Sequence, residues 1–247
     1  IMLGVSILII VMSVMNGFRT ELINKIVGFN AHITVSAYDK TTDFKNFDNK
    51  QLNLISKNLI LSNSSEAIII SEQNSKGVLL RGYLEDDFSK LKLINNKNFV
   101  GQDKRIRKNF ISIGKELSFT LDLEIGDNIT IMSSSGVETI IGNLPKQKSF
   151  TVLSIFESGV ADFDNNVIFL NLNTLEEFSN LSKDDRNLEI YLKKPQDIEN
   201  QKIIVQNIFP NDLIYSWADM NKSLFSALKV ERNVMFIILS LIIIVAA

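Results

Sequence analysis

Two stretches without a single charge bracket the chain: residues 1–15, IMLGVSILIIVMSVM, and residues 234–247, VMFIILSLIIIVAA. A backbone can enter hydrocarbon only with its polar groups paired internally, which limits such stretches to helices or closed barrels. Neither reaches the roughly 20 apolar residues that span a bilayer as a helix. Each runs to an end of the chain, so they read as two truncated transmembrane helices flanking a domain held outside the membrane. A cleaved export signal would start with a basic segment and stop at a small-residue site. The first stretch instead passes directly into NGFRTELINKI.

The 230 or so residues from Asn16 onward alternate between two periodicities. Phe18, Leu22 and Ile26 recur at helical spacing with Arg19, Glu21, Asn24 and Lys25 on the other faces, which predicts that the first membrane helix continues as an amphipathic stalk. Strands are predicted at 32–35, in EAIIISEQ and in KGVLLRGYL, the last two paired across the turn at Gln73–Lys76. Leu52, Ile55 and Leu59 predict a helix over 50–61. A short helix is expected in DDFSKLKLIN, and KNFISIGKELSFTLDLEIGDNITIM reads as a strand, a helix from about Gly114 to Leu121, a turn at Gly126-Asp127 and a further strand. Further strands are expected in SFTVLSIFES, NNVIFLN, NLEIYLKK and DLIYSW, with helices in NTLEEFSNL and QDIENQKIIVQNIF. From Ala218 a single helix is expected to run into the terminal apolar stretch. Hairpins mixed with helices of this kind point to an α+β fold.

Most chemistries find no foothold. Lys plus Arg number 26 and Asp plus Glu 28, a balance without the concentrated positive field of a nucleic-acid surface. There is no Cys, and His32 is the one histidine, which removes the ordinary zinc sites and any triad that does not use His32. Its place in a strand pattern predicts a structural or surface role. ISIGKELS carries a Gly-Lys pair but neither the upstream Gly nor the following hydroxyl residue of a phosphate loop. Asp86-Asp87 and Asp184-Asp185 stand in polar turns, where carboxylates cap helices. No cofactor, metal site or catalytic group is predicted.

One stretch does not fit a bland surface. In MSSSGVETIIGNLPKQKSF, residues 132–150, polar loop formers surround Ile140, Ile141 and Leu144, beside a turn signal at Gly142-Asn143. Either the loop lies against a core, or these side chains are presented to a partner.

Three segments together resemble the permease subunits of lipoprotein-releasing ABC transporters, the LolC/LolE family of MacB-like and FtsX-like permeases. GVSILIIVMSVMNGFRTEL, with Ser13-Val14-Met15-Asn16-Gly17-Phe18 as its specific part, resembles that family's first membrane helix and stalk. SLFSALKVERNVMFIILSLIIIVAA is similar to its second stalk and membrane helix, and TIIGNLPKQKSF to a hairpin called the hook. The resemblance implies an α+β MacB-like periplasmic domain with Porter and Sabre subdomains. It divides the chain into the end of the first membrane helix (1–15), a stalk (16–29), the first Porter part (30–85) and a Sabre-like part (86–160) carrying the hook at 133–149. A second Porter part (161–218), a second stalk (219–233) and the start of the second membrane helix (234–247) follow.

The implied function is that of an inner-membrane permease which extracts lipoproteins and hands them to a periplasmic carrier of the LolA type. A separate LolD-type ATPase and a second permease, a LolE/LolC paralogue or an identical copy, would complete the transporter, with lipoproteins and membrane lipids as further partners. Thr139, Ile140, Ile141, Gly142, Asn143, Leu144 and Pro145 would form the carrier-binding hook. Gln147 and Lys148 would form a polar pad, while Thr130 stands where the family pattern has Arg. Met12, Val14, Met15 and Phe18, with Leu224, Phe225, Leu228 and Met235, either line a cavity for acyl chains or form ordinary helix-packing and lipid-facing surface. The alternative within the superfamily is a MacB- or FtsX-like mechanotransmission permease serving efflux or hydrolase activation.

Overall fold

The computed structural model describes residues 2–38, 44, 49–71, 75–101, 103–139 and 142–246, with only the backbone at some positions of the two terminal helices and of 137–143. Among the described residues the strands form one continuous sheet that does two different things along its length.

The first half is a four-stranded antiparallel array in the order β10 (Leu213–Ser216), β1 (Ile33–Ser36), β9 (Asn187–Leu192) and the start of β2 (Ser56–Ile70). One face carries Ile33, Val35, Leu188 and Ile190, buried under Leu52 of α2 (Lys50–Ile55), under Ile198 and Val205 of α7 (Ile198–Ile208), and under Trp217. The Asn49 carboxamide caps α2 by accepting from the backbone N–H of Gln51 and Leu52. The helix predicted over 50–61 stops at Ile55, and Ser56 onward is strand. Spacing of four residues cannot separate a helix from a half-buried strand here, and the ladder to β9 takes over from Ser56. Of the structural or surface role predicted for His32, the structure shows the structural one: buried, it accepts the Leu192 N–H on Nδ1 at 2.8 Å.

The second half closes on itself. β2 pairs β3 (Ser75–Tyr83), β3 pairs β8 (Val167–Asn171), and β8 pairs β5 (Phe110–Gly114). β5 pairs β7 (Gly142–Phe156), β7 pairs β6 (Asn128–Thr139), and β6 returns to β2. The result is a six-stranded barrel, with a short α3 (Glu85–Phe88) after β3 and the two-residue β4 (Val100–Gly101) paired to β7 at Ser154 and Ile155. Each strand sends two side chains inward: Ala67 and Ile69, Val78 and Leu80, Ile168 and Leu170, Ile111 and Ile113, Phe150 and Val152, Ile129 and Ile131. Burying each larger one contributes roughly 1.5–3 kcal/mol. α4 (Lys115–Leu121) leaves β5 and α6 (Leu172–Ser179) leaves β8. Those strands are antiparallel, so the helices stopper opposite ends, with Leu117 and Leu121 at one and Leu175 and Phe178 at the other. A Cβ on Gly82 would meet Leu175 Cδ2 at 2.9 Å, so glycine is what lets α6 sit this close to β3. The strand and helix order predicted from Phe110 to Ser179 is present, with one addition, the short α5 (Ala161–Asn166). β3, β8 and α6 all belong to the barrel, although the sequence division set them in the two Porter parts.

β2 is common to both halves. Along one edge it pairs β9 at Ser56–Ser62 and then β6 at Ala67–Ile70, while its other edge holds β3 from Ser62 to Ile70.

α1 (Met2–Phe29) leads in, and Phe29 packs on Phe163 with ring centroids 4.3 Å apart. The helix predicted from Ala218 is in fact two, α8 (Trp217–Met220) and α9 (Lys222–Ala246). Asn221 breaks it by donating from Nδ2 to the Trp217 carbonyl at 2.8 Å. α1 and α9 touch. Among the described residues no helix is long and apolar enough to cross a membrane.

Candidate functional site

The hairpin of β6 and β7 leaves the barrel as a two-stranded ribbon. β6 loses β2 after Ser133, and β7 meets β5 only from Thr151. Past Ser133 on β6 and before Thr151 on β7, neither strand has, among the described residues, a strand partner besides the other. The ladder runs regularly to Met132↔Gln147, then Ser133, Ser134 and Ser135 stand against Lys146 alone. Pairing resumes at Gly136↔Pro145 and ends at Thr139↔Gly142, which extends the ribbon by roughly 10 Å at 3.4 Å per residue.

The turn is not where the Gly-Asn signal put it. Gly142 and Asn143 are strand residues facing Thr139 and Glu138. Register is imposed from the root, where Ile131 and Phe150 must face the barrel interior, and the bulge carries it outward. Ile140 and Ile141 lie outside the described residues, as do the side chains of Thr139 and Asn143. Leu144 is 52% exposed and Pro145 is exposed. Of Ile140, Ile141 and Leu144, the one whose side chain is described is therefore not sealed in a core.

Gln147 and Lys148 are neighbours on one strand and face opposite sides of it. Gln147 lies with Met132 on the outward face, Nε2 3.8 Å from its sulfur, together with Thr130. Lys148 lies on the inward face with Nζ 5.4 Å above the Phe150 ring. The outward row continues across the barrel as Gln147, Met132, Ile68 and Gly77. Ile68 and Leu79 are 39% and 38% exposed there and border a groove of about 580 Å³ with Glu66, Ser133 and Ser134.

On the terminal helices, Met12, Met15 and Met235 are half-buried, and Val14 and Phe18 are exposed. The side chains of Leu224, Phe225 and Leu228 lie outside those described.

A second polar assembly was missed on sequence. Glu189 of β9 is buried where the four-stranded array meets the barrel. Its carboxylate accepts from Arg81 Nη2 at 2.9 Å, Ser62 Oγ at 2.6 Å, Tyr83 Oη at 3.1 Å and Tyr191 Oη at 3.0 Å. Arg81 also donates from Nη1 to Asn30 Oδ1 at 3.3 Å, which ties in the residue following α1. Burial opposes the charge on Arg81, but Tyr83 and Glu189 outweigh it and hold the guanidinium above its ordinary range. Burial, then Glu189, push the Tyr191 phenol well up; burial likewise raises Tyr83, against the pull of Arg81. The available signal was a charge set inside an apolar strand, in NLEIYL and again in VLLRGYL. Among the described residues no group of three or more His, Cys, Asp or Glu is placed to hold a metal ion.

Residues 1–204 match the family model described as the MacB-like periplasmic core domain. The chain belongs to that family. This MacB-like domain is similar over its whole length to the lipoprotein-releasing system transmembrane protein LolC of Neisseria meningitidis serogroup B, with 31% identity over 258 residues. It is also similar to LolE of Haemophilus influenzae, 26% identical over 259 residues. In both cases all of this chain aligns with 61% of the relative, so the MacB-like domain spans about three fifths of the length of these curated proteins. Among solved structures, the periplasmic region of MacB from Actinobacillus actinomycetemcomitans is matched at a TM-score of 0.43 and 9% identity, covering 81% of this chain and 95% of that one.

Proposed function

We propose that this chain is the periplasmic domain, with its flanking helices, of a LolC-type permease in the inner membrane. The permease extracts lipoproteins and presents them to a periplasmic carrier of the LolA type. It works with a LolD-type ATPase, which supplies the nucleotide chemistry for which these residues offer no phosphate loop, and with a second permease subunit. The observation that carries the reading is the ribbon: it stands off the barrel with Leu144 exposed next to two further isoleucines in the sequence. Similarity along the entire chain to proteins named for lipoprotein release supports it. Each apolar side chain that a carrier covers contributes roughly 1.5–3 kcal/mol before the cost of association. Pro145 narrows the conformations the returning strand must give up.

A photo-crosslinker at position 141 in the full-length, assembled transporter tests this. A carrier adduct that disappears on Leu144→Asp, with folding unchanged, is the expected result. Failure to form an adduct from any position between 139 and 145 overturns it. The mechanotransmission alternative draws on the Asn30–Arg81 link between α1 and the seam, and it predicts an assembled permease that captures no carrier.

A further inference from the structure

A two-stranded ribbon is marginal in water, and a bulge bends and twists the strand that holds it. A ribbon that begins at a three-against-one bulge therefore needs something to fix its direction. Lys146, the lone residue opposite the bulge, reaches off the ribbon to the C-terminal end of α6. Its Nζ donates to the Glu177 carbonyl at 3.1 Å and to Asn180 Oδ1. Asn180 in turn donates from Nδ2 to the carbonyl of Gly136, the first paired residue past the bulge on the other strand, at 3.3 Å. One side chain thus grips both strands at the point where they leave the barrel.

The gripping residue is itself well fixed. Asn180 caps α6 in the left-handed conformation, φ 53°, which Asn adopts more readily than most residues. Leu175 and Phe178 bury α6 in the barrel end, and Phe178 meets Phe150 edge-on with centroids 5.8 Å apart. Arg186 holds the same turn by donating to both carboxylate oxygens of Glu176 at 2.6 and 2.8 Å. An ammonium group beside the last carbonyls of a helix is favourably placed.

We propose that Asn180 and Lys146 are positioning residues that set the angle at which the ribbon presents its tip. This deepens the carrier-binding reading and rests on it for its purpose, though not for its geometry. The pair raises capture by holding the ribbon in the docking orientation before the carrier arrives, which lowers the ordering cost of association.

The test uses the full-length permease, spin-labelled at Asn143→Cys on the ribbon and Glu116→Cys on the barrel, with no carrier present. The unaltered pair gives one narrow distance population. Lys146→Met and Asn180→Gly, the glycine chosen to keep the left-handed backbone, each widen it about twofold as the ribbon is freed, and Lys146→Arg restores it. An unchanged width in both variants overturns the proposal whether or not any carrier binds. Crosslinking from position 141 is then read on the same variants, with Leu144→Asp as the control that removes capture without widening the distances. Capture falls by about three- to tenfold in the loosened variants as the ordering cost returns. Undiminished capture from a widened ribbon overturns the positioning role. Absence of capture by the unaltered permease overturns the carrier reading instead, while the distances still decide the clamp.

Discussion

Glu189 and Asn180 each join two parts of the sheet through polar side chains, but one does so in the interior and the other at the surface. At Glu189 four donors converge on one carboxylate that is 4% exposed, beside an Arg81 side chain that is 14% exposed. At Asn180 the donors and acceptors are solvent-accessible, and water can replace any of them. A buried charge without its partner has nowhere to turn, whereas an exposed one is merely rehydrated. The seam is accordingly a fixed weld, and the ribbon root an adjustable joint.

The largest effect should come from breaking the weld. Glu189→Ala strands the Arg81 guanidinium and should lower unfolding stability by about 3–5 kcal/mol. Arg81→Met alone should cost a similar amount, and the double variant less than the two singles added, as read from denaturant midpoints. Costs that add would show that the two side chains do not act as a pair.

Base should break the same weld more gently. Both phenols lie above their ordinary value in the folded protein, Tyr83 and Tyr191 alike. A group raised in this way lends stability that is complete below its unfolded pKa, about 10 for tyrosine, and is lost as pH climbs from there toward the folded value. Absorbance titration should find these two tyrosines ionising only together with unfolding. Ionisation of both in a protein that keeps its circular dichroism would contradict that.

At the joint the stability effect should be small. Lys146→Met should change unfolding stability by about 0.2–1 kcal/mol, the range of exposed polar pairs. A loss comparable to that of Glu189→Ala would mean the root is as rigid as the seam, and the comparison would fail.

How much of this the sequence could reveal depended on the range of the interactions. The strand at Phe110–Gly114, the helix that follows and the strand from Asn128 were legible because alternation and the Gly126-Asp127 turn act locally. Ile55 and Leu59 misled because four-residue spacing fits either element until β9, some 130 residues away, claims the chain. Barrel closure was invisible for the same reason, since it needs β2 to meet β6 and β3 to meet β8. At the site, the sequence left open whether the loop lies against a core, and the structure places Leu144 in solvent. The displaced turn escaped notice, because register is counted from the barrel and Gly142-Asn143 has no say in it. Lys146 and Asn180 are 34 residues apart, and nothing in either neighbourhood announces the other.

β2 carries a consequence for how such a domain can be inherited. A strand that runs unbroken from one half into the other leaves no linker between them. Severing it between Ser62 and Ala67 would deprive one fragment of its companion to β9 and leave the other with a raw edge, a template on which chains aggregate. The array and the barrel therefore have to pass from ancestor to descendant as one gene segment.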